Sequence, residues 1–279
     1  MKRVYPAAIL ACVGVWAFVS AVWGGQIPLP PPGPARVATA DAVIVGKVEA
    51  IEPQDVKVGN STHRIAVVRI NDAVRGVKDE KTLRIGFVPL PMPQVGKGPI
   101  VISSGARPVQ LAAGQEGLFI LKKQAKETFY TIGGVVGYYI NSDKNPGFDK
   151  EVQAAKTAAK LMDNPQAGLK SKDADERLLA AAILIDRYRT FRGPTNKQEP
   201  IDAEESNEIM KVLADADWQG QLNFMGLRAH PQQLFQQLSV TAKDGFMPTG
   251  TNYQAAAQKW VRDNASKYRI QRYVAGAAK

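Results

Sequence analysis

Sulfur and imidazole chemistry are nearly missing from this chain, which has one cysteine and two histidines in 279 residues. A lone cysteine, Cys12, has no partner for an internal disulfide. His63 and His230 stand far apart, neither has a second ligand at metal-binding spacing, and HExxH is absent. Phosphate-cradling glycine loops are missing too: VGKG at 95–98 is not a P-loop and no clear helix follows it. The GxSxG turn of serine hydrolases is also absent. These gaps argue against a thiol nucleophile, a metal centre and a nucleotide cofactor, so neither metal nor cofactor is expected.

What the chain does have begins with an apolar leader. Lys2 and Arg3 precede an uncharged run from Val4 to Trp23, and Val19-Ser20-Ala21 offers a cleavage site after Ala21. A basic start, an apolar stretch and small residues in that order are the layout of a secretory signal over residues 1–21. An uncleaved anchor and lipid attachment at Cys12 are the alternatives. Lipidation fits poorly, because the apolar run continues past Cys12 instead of ending there. On this reading the mature protein is thiol-free and periplasmic or extracellular, with no integral membrane segment once the signal is removed.

Residues 22–40 include QIPLPPPGPAR, whose prolines favour an extended spacer between leader and fold. From residue 41 to 144 the pattern is β. ADAVIVGKVEAIEP carries Val43, Val45 and Val48, and HRIAVVRINDAVRG carries Ile65, Val67 and Ile70, both in alternation with polar residues. Gly46 suits a bend or bulge. KTLRIGFV, EGLFILKK and ETFYTIGGVVGYYI read as further strands, and a long excursion separates the first two of these. Such a set suits a small closed or nearly closed barrel.

From 145 to 279 the period becomes helical. Val152, Ala155, Ala159 and Met162 form one stripe that stops near Pro165. Asp173 with Glu176, Asp202 with Glu205 and Thr251 with Gln254 read as capping pairs that open three more helices. The first of these carries Leu178, Ala181, Ala182 and Ile185 and meets a stop at Gly193-Pro194; a short helix is expected from Pro231. The fold class is therefore α+β: a small β-barrel followed by an α-helical domain.

ADAVIVGKV, VVRINDAVRGVK and AAGQEGLFILKK, in that order, resemble the barrel half of uncharacterised secreted bacterial proteins with an OB-like fold. That fold is distantly similar to the netrin and metalloproteinase-inhibitor barrels. The resemblance spans roughly residues 40–140 and implies an OB-like β-barrel. Those inhibitors set an amino-terminal cysteine on the target's zinc, and a mature chain without cysteine departs from them there. DADERLLAAAILIDRYR resembles a single HEAT-type helix, without a repeating period around it.

The formal net charge is +10. Two basic, aromatic-interleaved clusters stand out: Arg187, Arg189 and Arg192 in DRYRTFRG, and Lys267, Arg269 and Arg272 in SKYRIQRY. They are candidates for gripping anionic groups, although arginines at a helix C-terminus also meet the helix dipole. Ser103 and Ser104 in VISSGARP, with His63, are the candidates for a hydrolase. The expected function is an exported, non-catalytic binding or interaction module. Its partner is an envelope or extracellular protein or an anionic polymer, and export argues against genomic nucleic acid.

Overall fold

The computed structural model describes residues 33–59, 61–89, 109–125, 127–132, 137–142, 146–190, 197–220, 226–247 and 252–274. The leader, most of the excursion including Ser103 and Ser104, and also Arg192, Gly193-Pro194 and Thr251 lie outside the described residues. The protein is a mixed α+β structure.

Its strands are β1 Ala42–Ile51, β2 Val56–Val58, β3 Ser61–Arg75, β4 Thr82–Phe87, β5 Glu116–Lys123, β6 Tyr130–Ile132 and β7 Tyr138–Ile140. β1 pairs with β3, β3 with β4, β4 with β6, β6 with β5, and β5 returns to β1. A ring of five strands cannot alternate direction all the way round, so one seam has to be parallel. That seam is β4–β6, joined through Ile85↔Tyr130 and Gly86↔Thr131. β2 folds back on the start of β3, and β7 lies along β5.

Inside the ring, Ile44, Val48, Ala66, Val68, Ile85, Phe119 and their neighbours form one apolar core. Gly46 lies between two partners, Ile70 on β3 and Gly117 on β5, at a register shift in β1. A Cβ there would fall 2.6 Å from the Arg69 carbonyl oxygen. The bend expected at this glycine is therefore also a close approach of two backbones.

Val43 and Val45 do not share a face with Val48. They point out of the ring with Leu118 and Ile120, and all four are buried there. Two helices cover them: α1 Gly33–Thr39 and α2 Phe148–Leu161. β3 places Ala66 and Val68 in the ring core; of the expected Ile65, Val67 and Ile70, Ile70 packs against that core, Ile65 is fully buried outside it and Val67 is half-buried. The proline-rich spacer thus ends earlier than the sequence implied, because Ala35 and Val37 gain a buried helical site. One Arg75 Nη donates to the carbonyls of Val37, Ala38 and Ala40 at 2.7, 2.8 and 2.9 Å, satisfying acceptors at the end of α1. The α2 stripe is rotated by about one residue from the expected one and buries Glu151, Ala154, Ala155, Ala158 and Leu161.

The remaining helices are α3 Pro165–Gly168, α4 Ala174–Arg189, α5 Ala203–Asp215, α6 Pro231–Leu238 and α7 Tyr253–Asn264, with a 3₁₀ turn at Ala242–Asp244. β8 Gln198–Pro200 and β9 Gln271–Tyr273 form a two-stranded ribbon. Asp173 and Asp202 cap α4 and α5 by accepting from N–H groups two and three residues on. For α7 the cap is Asn252, which accepts from Ala255 N–H, one residue after the expected Thr251. α4 stops at Arg189, before Gly193-Pro194. Every α4 residue from Leu179 to Ile185 is buried, so the single stripe expected there gives way to a helix enclosed on all sides. Phe235 sits at the centre of an edge-to-face aromatic group, with Phe246 and Trp260 centroids 4.9 and 5.6 Å away.

Charge is buried where the two halves meet. Arg36 of α1 is 7% exposed and donates to the Gly226 carbonyl; Glu151 of α2 is 9% exposed and accepts from Leu227 N–H. Tyr139 of β7 belongs to the same group. Burial pushes its phenol far above the ordinary range, Arg36 opposes that shift, and Glu151 adds to it.

Glu151→Ala would leave the buried Leu227 N–H unpaired, at an expected cost of about 1–3 kcal/mol. Trp218 and Trp260 both lie in the helical core, so their fluorescence reads that half while hydrogen exchange in β1 reads the sheet. Both should weaken together in urea; a shift of fluorescence alone would contradict a shared junction. Gly46→Ala should cost about 1–3 kcal/mol through the clash with Arg69, read as a lower urea midpoint.

Candidate functional site

The two basic clusters, some 80 residues apart in sequence, meet at the C-terminal end of α4 and the β8–β9 ribbon, where Arg189 bonds across 82 positions to Gln271. Their members do not share one fate. Arg189 donates from Nε to the Gln237 carbonyl at 3.1 Å and from Nη1 to the Gln271 carbonyl at 3.0 Å, and it lies 4.9 Å from the centroid of the Tyr273 ring. Arg269 donates to the Ile201 carbonyl from Nε at 3.2 Å and from a second nitrogen. These two guanidiniums are tied into the fold.

Arg187, Lys267 and Arg272 are exposed, and so is Arg269 despite its bonds, whereas Arg189 is half-buried. Arg187 and Arg272 both act on the Tyr188 hydroxyl, which donates to Glu205 at 2.7 Å. That phenol is pushed up by burial and then by Glu205, while the two arginines pull the other way. Arg272 lies 3.9 Å from Glu199, and Glu199 also pairs with Lys197 at 2.9 Å. The Lys197 bond, followed by Arg272, holds the Glu199 carboxyl below its usual range. The face therefore reads Arg187, Arg272, Lys197 with Glu199 set between the last two. Lys197 was missed by sequence reasoning; it directly precedes β8, and its carbonyl accepts from Val274 N–H more than 70 residues away.

Arginines on the seven-stranded sheet are matched more closely. Arg64 pairs with Asp55 at 3.2 Å, Arg69 with Glu49 at 3.6 Å, and Arg84 with Glu52 through two 2.7 Å bonds. The Arg84 bond is the main cause holding the Glu52 carboxyl below its ordinary value.

His63 lies near the start of β3, its ring 6.0 Å from that of Phe129. Its Nδ1 is buried with no hydrogen-bond partner among the described residues. A serine-hydrolase histidine is oriented by a carboxylate on that nitrogen, and Ser103 and Ser104 lie outside the described residues. His230, expected at a helix entry, is the N-cap of α6: Nδ1 accepts from Gln232 N–H at 3.2 Å and Nε2 faces the Gly220 carbonyl at 3.0 Å. Among the described residues, no group of three or more His, Cys, Asp or Glu could hold a metal ion. No described helix is long and apolar enough to cross a membrane.

Two grooves flank α2. One, of about 580 Å³, lies between α2 and the end of β3, where Lys156 pairs with Asp72 at 2.5 Å. The other, of about 490 Å³, lies between α2, the start of α4 and the segment at Arg228. No protein-family model matches this chain, and no curated protein matches it.

Burial holds His63 below the ordinary histidine range, so the fold favours its neutral ring. The stability this confers is complete above the unfolded value near pH 6.5 and is lost as pH falls from there toward the depressed folded value. Thermal melts at about pH 7.5 and about pH 5 should show a larger drop for the natural protein than for His63→Leu. An equal drop would remove the assignment.

Proposed function

We propose that the chain is an exported, non-catalytic binding module, an OB-like barrel joined to a helical part, that contacts an anionic partner in the envelope or outside the cell. Its contact surface is the basic face at the end of α4 and the β8–β9 ribbon. The closed strand order with one parallel seam, and the long insertion between β4 and β5, support the OB-like reading. The apolar leader supports export.

The observation that carries the binding reading is the division of labour among the arginines. Arg189 and Arg269 spend their donors on backbone carbonyls, although Arg269 stays exposed, while the exposed Arg187, Lys267 and Arg272 turn toward solvent. Glu199 offsets part of this charge. The resulting attraction is moderate, long-ranged and sensitive to salt.

Retention on immobilised heparin across a salt gradient tests the reading. Arg187→Ala with Arg272→Ala should shift elution to lower salt and reduce the logarithmic salt dependence by about one unit for each guanidinium removed from the polyanion. Thermal stability should stay close to that of the natural protein, because neither side chain bonds into the core. Arg189→Ala should instead lower stability. Heparin retention unaltered in the double variant would rule this surface out.

A further inference from the structure

The groove of about 490 Å³ lies at the opposite end of α4 from the basic face, some 20 Å away by the rise of the helix. Its volume is that of a small-ligand site. One wall is a stripe of α2: Lys150, Gln153, Thr157 and Lys160, three or four residues apart and therefore on one side of the helix. No described carboxylate pairs with Lys150 or Lys160.

Across from it, the first turn of α4 presents Asp173, Asp175 and Glu176. Asp173 is occupied by backbone N–H groups, and Glu176 accepts from Ser171 Oγ at 2.6 Å. Asp175 is 74% exposed, and it forms an ion pair with Arg228 at 3.5 Å. A helix start carries roughly half a positive charge, which three carboxylates outweigh. Between the walls lie the apolar side chains of Ala154, Leu178 and Leu179.

We infer that this groove binds a short peptide with free ends. Its ammonium meets Asp175 on the α4 wall, its carboxylate meets Lys150 or Lys160 on the α2 wall, and an apolar side chain rests on Ala154 and Leu178. Facing walls of opposite charge over an apolar floor match a zwitterion better than a simple anion, which the acidic wall would repel.

Calorimetric titration of the full chain with free tri-leucine tests this, alongside the N-acetylated and C-amidated forms. Free tri-leucine should bind, and blocking either end should weaken binding about tenfold or more. The Lys150→Gln, Lys160→Gln double variant should lose affinity for free tri-leucine yet bind the amide as the natural protein does, and Asp175→Asn should behave likewise toward the acetylated form. All these side chains are exposed, so melting temperatures should hold. Absence of binding by free tri-leucine at millimolar concentration, or equal affinity for the blocked forms, would overturn the inference. Heparin retention, read on the same variants, should be unchanged, which separates this site from the basic face.

Discussion

β1 and β5 carry apolar side chains on both faces, and a ring of strands can bury only one of them. Val43, Val45, Leu118 and Ile120 are left pointing outward. Burying a side chain of this kind contributes about 1.5–3 kcal/mol, so the four together amount to roughly 6–12 kcal/mol. That is the size of a whole domain's net stability, about 5–15 kcal/mol. Covering this face is therefore a condition for folding, and α1 and α2 do it. The consequence is that the helix beginning at Gly33 and the first helix after the strands belong to the sheet as much as to the helical half.

Covering the face brings charge into the interior. Arg36 and Glu151 reach the junction on the two covering helices, and each is met by the backbone at Gly226 and Leu227. Gly33 makes the approach possible, because a Cβ there would overlap the Leu227 backbone. A buried charge met by a backbone group adds little net stability over apolar packing, but removing it leaves that backbone group unpaired. Its effect is to fix where the 226–228 segment sits, and Arg228 in turn faces the groove.

α4 is the axis of the helical half. It touches α1, α2, α3, α5, α6 and β9, and its middle is enclosed on all sides. Its two ends emerge at different surfaces: capped acids beside α2 at the start, arginines beside the ribbon at the finish. A rigid, buried helix joining two exposed ends keeps both surfaces in fixed relation to the sheet.

Features governed by a few neighbouring residues were legible in the sequence. Asp173 and Asp202 cap their helices, Pro231 opens α6, and β5 covers the stretch EGLFILKK, because caps, prolines and apolar runs act within one or two turns. The α+β class followed from the change of period. Tertiary structure decided the rest. Val43 and Val48 lie on opposite faces although both are apolar, since the cover for the outer face comes from α1 and α2. Arg187 and Arg189 sit one turn apart or less, yet one faces solvent and the other bonds to a carbonyl 82 positions away. A side chain's type is a local property, whereas its partner is set by which distant segment the fold brings within about 3 Å.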